Sequence, residues 1–169
     1  MRKHILIVLI LLSFSLSSQN FTRKDSLRGN LTPIRTCYDV TFYDLFLIVD
    51  IPEKSIERSS NEIHFTATND FNRFQIDLAL NMDLNKIEFE GNDLEFSREF
   101  DAVYVLFPRI IKIGERCQIK IWYSGYPREA VNPPWDGGFS WEKDKNGNTW
   151  IGVSCQGLGA STWWPCKDH

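Results

Sequence analysis

Residues 117–123 read Cys-Gln-Ile-Lys-Ile-Trp-Tyr, and a small or apolar side chain recurs at every second position. In a β-strand successive side chains point to opposite faces, so the odd-numbered residues of this stretch would share one face. Gln118, Lys120 and Trp122 would share the other. The stretch therefore predicts a strand that turns one face toward a core.

The same period of two extends from Tyr38 to Tyr123, in short runs spaced by roughly ten residues with turn residues between them. Residues 45–51 begin with apolar side chains on both faces, which predicts a central strand. His64 falls on the outward face of its run and is expected to be an ordinary strand residue. Pro108 is expected to end the strand before it, because proline lacks a backbone donor.

These runs predict an all-β domain with an antiparallel, saddle-shaped, β-sandwich-like architecture. No convincing amphipathic helix separates the runs, and parallel strands need crossover connections, so a doubly wound α/β fold is excluded. The chain has 169 residues, 43% of them hydrophobic and 24% charged, which is enough for one globular core.

The first 18 residues have the layout of a secretory signal peptide. A short basic start, Arg2 to His4, precedes the aliphatic run Ile5 to Leu12 and a small polar region that ends near Ser18. The aliphatic run is too short to span a bilayer, which takes about 20 residues. We therefore predict a signal peptide over residues 1–18, a flexible polar leader over 19–35 and a folded domain over 36–169, in a secreted or periplasmic protein.

The charge balance excludes one class of partner. The formal net charge is −3, and loss of Arg2 and Lys3 with the signal would make it more negative. With no basic stripe along the chain, nucleic acid and anionic membrane surfaces are not expected as partners.

The cysteines leave several possibilities open. Export permits disulfides, and Cys37, Cys117, Cys155 and Cys166 allow three pairings among which the sequence does not choose. Cys117 could equally be a small buried apolar residue. No C-x-x-C motif occurs, and few histidines follow the signal, so no zinc site is expected in this chain.

The last part of the chain has a different composition. Five of the six tryptophans lie between residues 135 and 164. Asn146-Gly147 predicts a hairpin turn between Trp141 and Trp150. Residues 154–169 look too irregular for a core, which favours a role in contact or chemistry. Residues 157–160 read Gly-Leu-Gly-Ala but lack the third glycine and the following helix of a dinucleotide site.

Residues 155–168 carry a family resemblance. Gln156 is followed nine residues later by Pro165, then Cys166 and Asp168. This arrangement resembles the end of the N-terminal domain of the zinc aminopeptidases related to aminopeptidase N and leukotriene hydrolase. Residues 132–139, Asn-Pro-Pro-Trp-Asp-Gly-Gly-Phe, and residues 38–44 resemble the secreted bacterial branch of that family.

The resemblance implies a β domain that caps one side of a catalytic domain. Gln156 would contact the free amino terminus and first side chain of a peptide substrate, and Gly157 would support its loop. A Gln oxygen can accept a hydrogen bond from an ammonium group without the desolvation cost of another buried charge. The alternative is that Gln156 only ties down the loop.

The zinc-binding part of that family does not occur in these 169 residues. Its H-E-x-x-H helix is absent, so the zinc would belong to the parent enzyme and no cofactor to this chain. We therefore expect a fragment without peptidase activity of its own, whose partners are the catalytic domain of the same enzyme and a peptide substrate.

A second hypothesis comes from a different class of protein. Exposed Trp135, Trp141, Trp163 and Trp164 could make the chain a secreted β-sandwich binding module for carbohydrate or protein. Such a module would bury most of its tryptophans and leave two or three coplanar on one face. A capping domain would instead expose an apolar patch where its partner binds.

Overall fold

The computed structural model describes residues 21–168. The predicted signal peptide, residues 1–18, lies outside this range. No helix in the described range is long and apolar enough to cross a membrane.

Two short helices precede a succession of strands. The helices are α1 (Arg23–Gly29) and α2 (Pro33–Thr36), and a single 3₁₀ turn, Ala160–Thr162, follows the last strand. The strands are β1 (Tyr38–Phe46), β2 (Val49–Asp50), β3 (Ser55–Ala67), β4 (Phe71–Asp77), β5 (Met82–Phe89), β6 (Asn92–Asp93), β7 (Glu95–Glu99), β8 (Ala102–Ile111), β9 (Arg116–Gly125), β10 (Gly138–Lys143) and β11 (Thr149–Ser154).

The strands form three antiparallel sheets. The large sheet has the order β1-β3-β9-β5-β6, with β2 also paired to β3. The second sheet has the order β4-β8-β7, and β10 and β11 form a hairpin. One hydrophobic core joins all three sheets. The prediction of an all-β, antiparallel, sandwich-like domain is confirmed, and so is the hairpin turn at Asn146-Gly147.

The alternation in residues 117–123 sets the place of β9. Ile119, Ile121 and Tyr123 are fully buried, whereas Lys120 and Trp122 lie toward solvent. Strand β9 pairs with β3 on one side and β5 on the other, so it occupies the middle of the large sheet. Each buried side chain of this size contributes about 1.5–3 kcal/mol through removal of apolar surface from water.

Aromatic rings fill the space between the two larger sheets. Phe65 of the large sheet lies 5.5 Å from Phe74 and 6.2 Å from Phe107 of the second sheet, measured between ring centroids. Tyr38 meets Phe74 edge to face at 4.4 Å and donates its hydroxyl to the carbonyl oxygen of Gln75. These contacts bring the start of β1 against the end of β4, next to Cys166 and Lys167 near the end of the described chain.

Two strand predictions were wrong. Residues 45–51 do not form a central strand: β1 is an edge strand that ends at Phe46. Leu45 and Leu47 pack on the core while Phe46 is exposed, so apolar side chains on both faces here do not mean burial on both faces. Pro108 does not end β8, because it lies at an irregularity of the β4–β8 register where no regular ladder bond is lost.

The leader was also predicted wrongly. Residues 21–35 include α1 and the start of α2 rather than a flexible segment, and Leu27 and Arg35 are buried. A capping box begins α1: the Thr22 side chain accepts from the Asp25 amide, and the Asp25 carboxylate accepts from the Thr22 amide at 2.7 Å. A helix this short has too few apolar residues to show periodicity, so its polar surface resembled a linker.

The four cysteines are free thiols, so none of the three possible pairings is present. Cys37 and Cys166 are buried and Cys117 is partly buried, in keeping with Cys117 as a small apolar residue. Burial raises the pKa of the Cys37 thiol to about 11, which keeps it protonated and unreactive at neutral pH.

Candidate functional site

Gln156 lies in a tight turn between β11 and the 3₁₀ helix. The carbonyl oxygen of Cys155 accepts from the amides of Leu158, at 3.1 Å, and Gly159, at 2.8 Å. Gly157 has a φ of +80°, a left-handed conformation that favours glycine. The turn presents both Gln156 and Gly157 to solvent.

The carboxamide of Gln156 is available for a ligand. Within residues 21–168 it makes no hydrogen bond, and a Cβ added at Gly157 would meet no other atom within 4 Å. The predicted site residues are therefore adjacent and exposed. The alternative that Gln156 ties down its own loop has no supporting contact in the part of the chain that the structure describes.

Other residues hold the turn in place. At the start of the turn, the Sγ of Cys155 accepts a hydrogen bond from the indole nitrogen of Trp163 at 3.3 Å. Downstream, the Asp168 carboxylate accepts from the hydroxyl of Ser161 and lies against Gly159. Both of these contacts come from the segment that follows the turn.

The segment from Pro165 to Asp168 is bound into the fold. Cys166 forms an antiparallel bridge with Asp77, with the two N–H···O distances 2.8 and 3.1 Å. The Pro165 carbonyl accepts from the side chain of Asn61 at 2.7 Å, and the Lys167 amide donates to the hydroxyl of Tyr43 at 3.0 Å. The expectation that residues 154–169 stay out of the core was wrong in part: Pro165 and Cys166 are buried, whereas Gln156 and Gly157 are exposed. The irregular backbone at Pro165 and Cys166 is buried because strand residues satisfy its polar groups.

A buried ion pair lies beneath this segment. Arg35 donates to the Asp77 carboxylate at 3.0 Å and to the Leu27 carbonyl at 3.0 Å, and it also donates to the Asp168 carbonyl. Gln75 donates to the same Asp77 oxygen at 2.9 Å. Burial raises the pKa of the Asp77 carboxyl to about 6, although the Arg35 guanidinium acts to lower it. This group of contacts joins α1, β4 and the final segment.

The tryptophans do not form the exposed set that the binding-module hypothesis requires. Trp163 packs edge to face on Phe139 at 5.6 Å, and Trp164 does the same on Tyr43 at 5.0 Å. Trp141 stacks on Phe139 at 5.4 Å. Of the four predicted, only Trp135 is largely exposed, at 85%. Trp150 was not among the four and is also exposed, at 65%.

Exposed apolar side chains occur in the loops and the hairpin next to the turn. A cleft of about 530 Å³ is lined by Leu158 of the turn together with Leu80 and Arg128. The side-chain amide of Asn81 donates to the Tyr126 carbonyl at 2.6 Å, which holds the two loops together. The large apolar residues that are more than half exposed in these loops and in the neighbouring hairpin are Leu80, Tyr126, Val131, Trp135 and Trp150.

The described residues do not fit a zinc ion. No group of three His, Cys, Asp or Glu side chains within residues 21–168 is arranged to hold a metal. His64 lies on the outer face of β3, with its Nε2 3.0 Å from a Glu62 oxygen and its ring against Phe42. The predicted outward position of His64 is confirmed.

Comparison with known proteins gives a likeness in fold. No protein family model matches the sequence, and no curated protein matches it. The fold is similar to part of an M1 zinc metallopeptidase from Deinococcus radiodurans with bound Tyr-Ser-Ala substrate, at a TM-score of 0.62 and 22% identity. That match covers 79% of this chain and 30% of the Deinococcus chain.

A second match covers more of the chain. Native yeast leukotriene A4 hydrolase, from Saccharomyces cerevisiae, superposes at a TM-score of 0.63 and 14% identity, over 94% of this chain and 24% of the hydrolase. The chain thus spans less than a third of the length of either protein. At these identities the likeness is one of fold.

Proposed function

We propose that this chain is the N-terminal domain of a secreted bacterial zinc aminopeptidase, related to the M1 metallopeptidases and leukotriene hydrolase. Its role there is to cap the catalytic domain over the peptide-binding site. The likeness in fold to an M1 zinc metallopeptidase and to a leukotriene A4 hydrolase supports this, together with the Gln156 and Pro165-Cys166-x-Asp168 spacing.

The observation that carries the proposal is the exposed carboxamide of Gln156 on a turn fixed at both ends. A peptide ammonium group offers three N–H donors, and the Gln156 oxygen accepts one of them without adding a second charge. Gly157 leaves open space beside this oxygen. A peptide with a free amino terminus is therefore the ligand that the turn suits best.

The partner in this proposal is the catalytic domain of the same enzyme. Leu80, Tyr126, Val131, Trp135 and Trp150 are exposed apolar residues in the loops and the hairpin next to the turn, and a protein partner would cover such residues. Zinc and its ligands would come from that domain, because the described residues do not fit a metal. The chain alone would then have no peptidase activity. Export through a cleavable signal peptide at residues 1–18 completes the proposal.

The test is a titration of the isotope-labelled chain, followed by NMR, with Tyr-Ser-Ala and with the same tripeptide acetylated at its amino terminus. The free peptide should shift the Gln156 side-chain amide and the Gly157 backbone amide, and the acetylated peptide should not. Gln156→Ala should abolish the response, whereas Gln118→Ala, an exposed Gln on β9, should keep it. Equal binding of both peptides would overturn the proposed role of Gln156.

The binding-module alternative retains one observation, the exposure of Trp135 and Trp150. It predicts quenching or a shift of tryptophan fluorescence when a glucose hexasaccharide is added, and loss of that response in Trp135→Ala. The aminopeptidase proposal predicts no response to the sugar.

A further inference from the structure

We propose that Asp168 is the positioning residue for the turn that carries Gln156, with Ser161 and Arg28 as the groups that hold its carboxylate. This rests on the proposed function in one respect: it takes Gln156 as the residue that meets the substrate. The claim about the turn itself concerns only contacts within this chain.

The first step is the contact between Asp168 and the end of the turn. Gly159 has a φ of +76°, and a Cβ placed on it would lie 2.6 Å from the carboxyl carbon of Asp168. The backbone at Gly159 therefore rests directly on the carboxylate, with no room for a side chain between them. Gly159 also donates its amide to Cys155 across the turn, so a shift at Gly159 moves the Gln156 backbone.

The second step is that Asp168 is itself fixed. Its Oδ2 accepts from the hydroxyl of Ser161 and from the Arg28 guanidinium at 3.2 Å. Its backbone amide donates to Asp77 at 3.2 Å, and its carbonyl accepts from Arg35. The backbone of Asp168 is thus fixed by Asp77 and Arg35, and its carboxylate cannot rotate away from Gly159 without breaking its hydrogen bonds to Ser161 and Arg28.

The third step is electrostatic. The buried guanidinium of Arg35 already has the Asp77 carboxylate as its counter-ion. The negative charge of the Asp168 carboxylate disfavours the charged form of Asp77, and it therefore contributes to raising the pKa of Asp77. The charge of Asp168 is therefore not needed to neutralise the buried arginine. Its carboxylate instead contacts Gly159, accepts from Ser161 and Cys166 in the same part of the chain, and pairs with Arg28 of α1.

The two ends of the turn differ in strength. Upstream, Cys155 is held by one weak N–H···S contact with Trp163. Downstream, Asp168 provides a charge-assisted contact network. Removing the carboxylate should therefore loosen the Gly159 end, which would keep the hydrogen bond from the Thr162 hydroxyl to the Gly159 carbonyl at 2.7 Å.

The experiment compares Asp168→Ala, Asp168→Asn and Ser161→Ala with the unchanged chain. Backbone ¹⁵N relaxation gives the order parameter of Gly157, about 0.85 for rigid and below 0.6 for flexible backbone. Asp168→Ala should bring it into the flexible range and Ser161→Ala should lower it in part. Asp168→Asn keeps an oxygen for Ser161 and the bulk against Gly159, so it should restore most of the order.

Glu99→Ala is the matched control. It removes the ion pair between Glu99 and Arg23 of α1, at 2.8 Å, without touching the turn. If Asp168 had a purely structural role, Asp168→Ala and Glu99→Ala would change the order parameter of Gly157 alike, and order parameters would change throughout the chain. That result would overturn the proposal. So would an unchanged order parameter in both Asp168→Ala and Ser161→Ala.

Binding of Tyr-Ser-Ala separates this inference from the proposed function. If the unchanged chain binds the peptide, Asp168→Ala should bind it about tenfold more weakly, because a loose turn loses preorganisation. If the unchanged chain does not bind but Gly157 becomes mobile in Asp168→Ala, the proposed ligand is wrong and the positioning role stands. If binding and Gly157 order both survive in Asp168→Ala, the positioning role is wrong.

Discussion

The side-chain amide of Asn61, fully buried in the large sheet, donates a 2.7 Å hydrogen bond to the carbonyl oxygen of Pro165. This bond joins the middle of β3 to the segment that follows the Gln156 turn. Pro165 is buried as well, so neither group has water as a ready substitute.

Replacing Asn61 by Ala should destabilise the domain by about 1–3 kcal/mol, because the Pro165 carbonyl would stay buried without its donor. Urea denaturation measures the change. Asn85→Ala, on the exposed side of β5, is the control and should change stability by less than about 0.5 kcal/mol. Equal effects at the two positions would contradict the anchoring role of Asn61.

The buried ion pair should show strong coupling. The side chains of Arg35 and Asp77 are 1% and 3% exposed. Arg35→Leu alone should cost about 3–5 kcal/mol, since it leaves a buried carboxylate without its counter-ion. The double variant Arg35→Leu, Asp77→Leu should cost clearly less than the sum of the two single changes. Additive effects in the thermodynamic cycle would refute the coupling.

Stability should also depend on pH through Asp77. Burial raises the pKa of the Asp77 carboxyl from 3.8 to about 6, so the folded state binds its proton more tightly than the unfolded state does. The resulting stabilisation is fully present below about pH 4 and is lost as the pH rises through about 6. The loss is on the order of 3 kcal/mol for a shift of this size.

Comparing the unchanged chain with Asp77→Asn between pH 4 and pH 7 isolates this effect. The stability of the unchanged chain relative to Asp77→Asn should fall with rising pH, because the amide does not titrate. A stability difference that stays constant over this range would show that Asp77 does not titrate there.

Gly157→Ala should strain the turn. At a φ of +80° an alanine costs about 1–2 kcal/mol although nothing crowds its Cβ. Gly157→Asn should cost less, because asparagine tolerates the left-handed region. Gly152→Ala in β11, where the Cβ also meets open space, is the control and should be within about 0.5 kcal/mol of the unchanged chain.

The folded state of the leader can be tested with two leucines. Leu27 of α1 is 9% exposed and Leu31 is 58% exposed. Leu27→Ala should lower stability by about 2 kcal/mol or more, and Leu31→Ala should have little effect. If both changes were neutral, α1 would not be part of the cooperative unit.

Some features of the fold could be predicted from sequence because they depend on local periodicity. The alternation around Ile119 and Ile121 correctly predicts which face of β9 is buried. The prediction is correct because β9 has a neighbouring strand on each side, β3 and β5. The same kind of pattern at Leu45 and Leu47 was misleading. There, partners from other sheets determine which apolar residues are covered, and local pattern carries no information about them.

The candidate site could also be predicted only in part. The spacing from Gln156 to Pro165 and Asp168 marks the segment in which a site is predicted, but it does not show which contacts hold that segment in place. The contacts of Asp168 with Arg28 and of Cys166 with Asp77 join residues far apart in sequence. In the sequence Arg35 resembles the end of a linker. The structure shows that it is a buried residue whose guanidinium donates hydrogen bonds to Leu27, Asp77 and Asp168.

The hydrogen bonds of the Arg35 guanidinium bring Leu27 and Asp168 within reach of one side chain. The backbone therefore returns at Asp168 to a point close to its start in α1. A short linker could join these two points and new ends could be opened at the exposed turn of Gly91, giving a circular permutant with the same core. An affinity tag or fusion partner that follows Asp168 would leave the fold next to Gly159, in the turn that carries Gln156, so such an attachment is best placed at the Gly91 turn.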